Sequence, residues 1–172
     1  MKSEKIMYKC FFSNDIKKMT WERESGLKVS FDAFKKITHL QLNHSTSSVF
    51  LKSILEKGLI PNTLSGKQIE DNLSTDPDCV YLSASYDVLY PKRAVGKYGG
   101  EGIVITVEVE KELLEADIHS VVPGNDLIKN KTKDELLYES LGYLYGSCKY
   151  RGIISPHNII SIYTKSGEKI TI

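Results

Sequence analysis

The sequence predicts a single α+β domain. Its 172 residues are 41% hydrophobic and 26% charged, and 23 Lys and Arg residues balance 22 Asp and Glu, which is typical of an ordinary soluble domain. Strand patterns and helix patterns are interspersed along the chain without a regular βαβ alternation, which favours an α+β fold over a parallel doubly wound one. No repeat, low-complexity run or Pro-rich linker divides the chain, so we expect one hydrophobic core.

The first half of the chain contains two short helices and a strand. We predict a helix at Asp32–Lys36, a half-buried strand at Ile37–Leu42 with His44 just beyond its end, and a helix at Val49–Lys57. The serines and threonine at 45–48 offer N-caps for the second helix, and Gly58 stops it. Residues 62–78 are polar and without a period, so we interpret them as a long surface loop.

The second half supplies most of the sheet. The best strand is Ile103–Val109, because it is β-branched nearly throughout, and we expect it to be central. The other predicted elements are strands at Cys79–Ser83, Lys149–Ile153 and Ile159–Thr164 and helices at Tyr86–Val95 and Lys133–Tyr145, the latter capped by Thr132.

Charge, hydrophobicity and cysteine content indicate where the protein is located and which partners it can bind. Residues 1–36 hold nine Lys or Arg and five Asp or Glu, a net +4, and we interpret them as a basic extension to a core at 37–172, either solvated or meeting phosphates. No apolar run reaches the roughly 18 to 20 residues of a membrane span, and no signal-peptide core follows Met1, so we expect a cytoplasmic protein with no membrane contact. Cys10, Cys79 and Cys148 lack ligand spacing, which predicts three free thiols and no metal site.

Three motifs point to a function. The sequence contains no P-loop, no Rossmann glycine fingerprint, no zinc-protease motif and no nucleophile elbow. It does contain His44-Ser45-Thr46 ahead of a helix that closes with residues 58–61 (Gly-Leu-Ile-Pro), then Val80-Tyr81-Leu82-Ser83, and finally Ile154-Ser155-Pro156-His157-Asn158-Ile159. In this order and spacing the chain resembles the ADP-ribosyltransferase superfamily, in its histidine–tyrosine–glutamate branch, over residues 37–164.

The resemblance implies a split mixed β-sheet sandwich with flanking helices and a cleft for NAD⁺. It implies that His44 hydrogen-bonds a ribose hydroxyl, that the Ser45 main chain binds the nicotinamide carboxamide and that Thr46 positions the adenosine-side ribose. Tyr81 would stack on nicotinamide, with Tyr90 as a second candidate, and we expect His44 and Tyr81 to face one cleft. Taken singly, each of these residues also fits an ordinary structural role.

The acidic residue is the departure from the family pattern. The resemblance implies a carboxylate at the start of the strand before the closing hairpin, but residues 146–148 are Gly, Ser and Cys. Glu139 on the preceding helix is the nearest acid, so it is either the catalytic acid or a solvated helical residue. Such an acid would stabilise the oxocarbenium-like ribose that forms when nicotinamide leaves. Arg151 either meets a pyrophosphate or pairs with a structural carboxylate.

The resemblance therefore implies a toxin-type or phage-type glycosyltransferase that moves ADP-ribose from NAD⁺ to an intracellular protein or nucleic acid. Two alternatives remain. One is a non-catalytic module that binds a nucleotide or ADP-ribose in the same cleft, which absence of a carboxylate would favour. The other is an RNA 2′-phosphotransferase-like enzyme, which would want a pocket rich in Arg and His.

Overall fold

The computed structural model describes residues 7–9, 29–65, 76–84, 89–118, 130–142 and 146–171, with the backbone alone for 7–9 and 89–91. The strands, in chain order, are β1 Met7–Lys9, β2 His39–Ser47, β3 Cys79–Ser83, β4 Gly102–Glu110, β5 Leu114–Ala116, β6 Ser147–Arg151, β7 Ile159–Thr164 and β8 Lys169–Ile170. The helices are α1 Phe31–Lys36, α2 Leu51–Lys57, α3 Asn62–Ser65, α4 Leu89–Tyr98 and α5 Lys133–Gly142.

The eight described strands form one sheet, in the order β5-β6-β3-β2-β4-β7-β8 with β1 beside β2. Every neighbouring pair along this path is antiparallel, and only β1 runs parallel to its partner β2. The mixed α and β class predicted from the sequence is confirmed at this level, and β4 has a strand on each side, as expected for a central strand.

The sheet is nearly divided between β2 and β3. These strands share one registered pair, Asn43↔Ser83, whereas β2 and β4 pair over the whole of β2 and β3 pairs with β6 along its full length. The described strands therefore form a single sheet that opens at this junction, rather than the split sandwich predicted from the sequence. We call β5-β6-β3 the small sheet.

The hydrophobic core lies on one face of the sheet. Leu40 and Leu42 of β2 pair with Val109 and Val107 of β4, and all four are buried, since residues opposite each other on antiparallel strands share a face. Helices cover this face with Phe34 of α1, Ile54 of α2 and Leu137 and Leu141 of α5, which belong to the same buried cluster.

Most predicted elements are confirmed, and β3 and β7 have exactly the predicted bounds. The main correction concerns β2, which extends to Ser47 and so includes His44 within the strand rather than beyond it. The polar run 43–47 stays extended because each of its residues pairs with β4, and this tertiary pairing outweighs weak local strand preference.

The helices differ from prediction mainly at their ends. The helix predicted at Tyr86–Val95 is observed as α4, Leu89–Tyr98, and part of the predicted loop at 62–78 forms α3. Strand β1 and helix α1 also bring parts of 1–36 into the domain: β1 pairs with β2, and Phe34 of α1 is fully buried. These parts of the predicted basic extension are therefore elements of the fold.

Candidate functional site

One face of the small sheet carries polar side chains. Cross-strand pairs share a face, and side chains alternate along each strand, so Tyr81, Lys149 and Glu115 stand on the same side. The opposite side carries Val80, Leu82, Leu114 and Cys148, which are buried in the core. The polar face, as we call it, consists of Cys79, Tyr81, Ser83, Glu115, Ser147, Lys149 and Arg151, with Asp117 following directly after β5.

Four charged groups occupy one end of the polar face. Arg151 contacts Asp76 at 2.8 Å and Glu115 at 3.1 Å, and Lys149 lies 3.5 Å from each of the same carboxylates. The Arg151 guanidinium lowers the pKa of Asp76 to about 2 and is also the main cause of the lowered pKa of Glu115. Of the two roles that the sequence left open for Arg151, the structure shows the pairing with structural carboxylates.

Tyr81 stands beside this charged end. Its hydroxyl oxygen accepts a hydrogen bond of 2.8 Å from the main-chain N–H of Asp76. Burial is the main cause of the raised pKa of Tyr81, and the negative charge of Asp117 adds to it. The phenol is therefore neutral at pH 7, and its half-buried ring is part of the polar face.

His44 meets Tyr81 at the junction between the two parts of the sheet. Its Nδ1 lies 3.0 Å from the main-chain oxygen of Tyr81. A carbonyl oxygen only accepts, so Nδ1 carries the proton and Nε2 is the acceptor nitrogen. Burial lowers the pKa of His44, which keeps the imidazole neutral at pH 7.

The strand register contradicts the expectation that the side chains of His44 and Tyr81 face one cleft. The pair Asn43↔Ser83 puts Asn43 on the polar side, and alternation then puts Tyr81 on that side and His44 on the side of Leu42. The two side chains therefore leave their strands on opposite faces, and His44 reaches the peptide of Tyr81 rather than its ring. This contact is possible at the opening between β2 and β3. There the main-chain oxygen of Tyr81 has no registered partner on β2, so it can accept a hydrogen bond from the imidazole of His44.

The other predicted binding residues lie in different surroundings. Ser45 is half-buried and shares the polar side of β2 with Asn43. Thr46 pairs with Ile103 and is only 4% exposed, so its side chain belongs to the interior. Tyr90 lies in α4, and its side chain is outside the described residues.

Glu139 lies apart from Tyr81. It belongs to α5, whose buried residues Leu137 and Leu141 pack on the core face of the sheet. Glu139 is about half a turn away from these residues around the helix, and its carboxylate forms an ion pair with Lys131. The structure therefore does not bring Glu139 to the polar face that carries Tyr81.

Asp117 is a carboxylate near the polar face that no sequence motif singles out. Its Oδ2 accepts a hydrogen bond of 2.8 Å from the hydroxyl of Ser147, the first residue of β6. Asp117 was overlooked because β5 has only three residues and was not predicted as a strand. The signal was present in Leu114-Glu115-Ala116-Asp117, where apolar and acidic residues alternate.

Within the described ranges, no group of three or more His, Cys, Asp or Glu side chains has the arrangement of a metal site. In the same part of the chain, no helix has both the length and the hydrophobicity to cross a bilayer. Cys79 and Cys148 are free and buried, and Cys10 lies outside the described residues.

No protein-family model matches the chain, and no curated protein matches it significantly.

Proposed function

We propose that this protein is an NAD-dependent ADP-ribosyltransferase that transfers ADP-ribose to a protein or nucleic acid. The observation that carries the proposal is the hydrogen bond between His44 Nδ1 and the Tyr81 main chain, at the opening between β2 and β3. Two motifs that are 37 residues apart in sequence thereby meet at one place, and the resemblance implies that this place binds NAD⁺.

The chemistry of the opening suits a dinucleotide. A neutral His44 that donates through Nδ1 presents Nε2 as an acceptor for a ribose hydroxyl. The half-buried ring of Tyr81 offers a face on which the nicotinamide ring can stack, and the main chain of Ser45 follows directly after His44. Because the two side chains leave their strands on opposite faces, one NAD⁺ molecule would reach both only through the opening, with nicotinamide on the polar face and the riboses toward β2.

The charged groups argue against the two alternatives. An RNA 2′-phosphotransferase would need unengaged basic groups for a phosphate, but Lys149 and Arg151 are both held by Asp76 and Glu115. The absence of a carboxylate from this face would favour a non-catalytic binding module. Asp117 follows β5 on the polar face and binds the Ser147 hydroxyl there, so this argument for a binding module does not apply.

Calorimetry with NAD⁺ tests the binding site. We expect His44→Ala and Tyr81→Ala each to weaken NAD⁺ affinity about tenfold or more, because each removes one hydrogen bond or one stacked ring. Tyr81→Phe keeps the ring and should retain most of the affinity, and His157→Ala is the exposed control. Unchanged affinity in both alanine variants, with the fold intact by circular dichroism, contradicts the proposal.

A transfer assay tests the reaction. The protein is incubated with NAD⁺ labelled on the adenine moiety and with a cell lysate, and the labelled macromolecules are then digested with protease or with nuclease. We expect label to enter one of these fractions and to depend on Tyr81. If NAD⁺ is neither bound nor consumed by the wild type, the proposed function is wrong.

A further inference from the structure

We infer that the exposed side of α4 is a docking surface for single-stranded nucleic acid. In the described part of this helix, the exposed residues are three cations and a glycine, which we call the basic strip: Lys92, Arg93, Gly96 and Lys97. Binding to this strip goes beyond the proposed function, because it requires neither NAD⁺ nor the candidate site.

The basic strip runs along the side of α4 that faces away from the sheet. The helix packs on β2 and β4, and Ala94 on its inner side is fully buried. Residues three and four positions apart are neighbours on a helix surface. Arg93 therefore lies beside Gly96 and Lys97, and Lys92 lies beside Gly96 from the other side. The three cations thus form one continuous surface.

The charge of the strip is not offset within the helix. α4 contains no Asp or Glu, and the nearest acids along the chain, Asp87 and Glu101, lie before and after it. Arg93 and Lys97 also interact with other groups of the chain, but such interactions are weak at exposed positions, so a phosphate group can replace them. The strip is therefore complementary to a chain that carries a negative charge at every unit.

Gly96 leaves room for a ligand at the centre of the strip. A Cβ at this position would meet no atom within 4 Å. Glycine is unfavourable in the middle of a helix, but its missing side chain lets another backbone approach closely. A phosphate group above Gly96 can therefore reach the helix surface and contact the cations on both sides.

An aromatic pair lies at the C-terminal end of the strip. The rings of Phe50 and Tyr98 meet edge to face with their centroids 5.0 Å apart, and the Lys97 ammonium lies 5.6 Å from the centre of the Tyr98 ring. Tyr98 is half-buried, so part of it is accessible to a ligand.

The aromatic ring and the polar character of the strip select among polyanions. Unpaired bases stack on aromatic side chains, whereas an acidic peptide segment or an inorganic polyanion has no such ring. Insertion into a membrane needs apolar side chains on the exposed side, and the described part of the strip contains none. The combination of cations with a neighbouring ring therefore favours a single-stranded nucleic acid.

Fluorescence anisotropy without NAD⁺ tests this surface, with a labelled oligothymidylate of about 20 nucleotides as the probe. We expect a variant that combines Lys92→Gln, Arg93→Gln and Lys97→Gln to bind about tenfold more weakly or worse. The plot of log K against log salt concentration should become shallower by about 2, because each phosphate contact to a single strand contributes roughly 0.7 to the slope.

The matched control removes the same charge at exposed positions of α1, α2 and β8, by Lys36→Gln, Lys57→Gln and Lys169→Gln. We expect it to change the affinity less than about twofold. An equal loss in the two triple variants would show an effect of net charge alone and would overturn the assignment of α4. A wild type that does not bind the oligonucleotide overturns it as well.

Competition with inorganic polyphosphate separates a nucleic acid from polyanions in general. At equal phosphate concentration, polyphosphate should displace the probe about tenfold less effectively than unlabelled oligothymidylate, because it has no bases to stack. Equal displacement by the two overturns a nucleic acid as the partner. Failure of the wild type to bind NAD⁺ contradicts the proposed function alone and leaves the α4 surface standing.

Discussion

The ammonium group of Lys111 illustrates how one residue holds distant elements together. Lys111 is only 9% exposed, and its Nζ donates to the main-chain oxygens of Phe34 and Lys35 at 3.1 and 3.2 Å and to Asp134 at 3.2 Å. The two oxygens lie at the C-terminal end of α1, where a cation is favourable, and the charge also lies 4.8 Å from the centre of the Phe34 ring. Lys111 thus joins α1 to the first turn of α5.

Replacing Lys111 tests this role. We expect Lys111→Met to lower the free energy of unfolding by about 2 to 3 kcal/mol, because the aliphatic part is kept while buried carbonyl oxygens lose their donor. Chemical denaturation measures the difference. Lys52→Met, at an exposed position of α2, should change the stability by less than about 0.5 kcal/mol, and an equal effect of the two substitutions would contradict this view of Lys111.

At the scale of elements, ion pairs attach the turn before β3 to β6. The Asp76 carboxylate binds Arg151, and the main-chain oxygen of Asp78 accepts from the N–H of Gly152 at 3.1 Å. The same turn supplies the N–H that holds the hydroxyl of Tyr81. The conformation of this turn therefore affects the candidate site directly.

The free energy of unfolding at low pH should depend on the ion pair between Asp76 and Arg151. Arg151 lowers the pKa of Asp76 from 3.8 to about 2, so the folded state binds the proton less readily than the unfolded state. The stabilisation is complete above pH 3.8 and is lost as the pH falls toward 2. We expect Asp76→Asn to flatten the dependence of unfolding free energy on pH in this interval, measured by urea denaturation.

Asp78→Asn is the neighbouring control and should keep the wild-type slope, since Asp78 takes part through its main chain. Glu115 also has a lowered pKa because of Arg151, so a smaller slope should persist in Asp76→Asn. Identical slopes for the wild type and Asp76→Asn would show that the ion pair does not stabilise the fold.

At the scale of the whole molecule, Gly58 lets the end of α2 approach the segment that joins β6 to β7. Leu59 and Ile154 form a pair of main-chain hydrogen bonds of 2.9 and 3.0 Å there. Gly58 has a φ of +83°, and a Cβ at this position would lie 2.0 Å from the main-chain oxygen of Ile154. Two of the three motifs are thereby connected through a position that requires glycine.

We expect Gly58→Ala to destabilise the protein by at least about 2 to 3 kcal/mol, because it combines an unfavourable φ with a steric clash. Gly96→Ala in α4 is a control of opposite sign, since its Cβ would meet nothing within 4 Å and alanine favours the helix by roughly 0.5 to 1 kcal/mol. Thermal unfolding distinguishes the two. A Gly58→Ala variant with the wild-type melting temperature would contradict the close approach.

The candidate site was predictable only in part. His44 and Tyr81 were identified because each is embedded in a local pattern of strand, turn and helix residues. Asp117 was not, because it meets the polar face only through a hydrogen bond to Ser147 across 30 residues of chain. Glu139 was favoured by closeness in sequence, which does not show on which face of the sheet a helix packs.

Elements with local sequence signals are predictable without the fold: the β-branched run of β4, the alternation in β3 and β7, and the glycine that ends α2. Tertiary structure decided the length of β2, the short strands β1, β5 and β8, and the opening between β2 and β3. The physical reason is that a strand is stabilised by hydrogen bonds to its neighbours, and short or polar strands carry little preference of their own. The same pairing sets which side chains share a face, and so it brings Tyr81, Lys149 and Glu115 to one side of the small sheet.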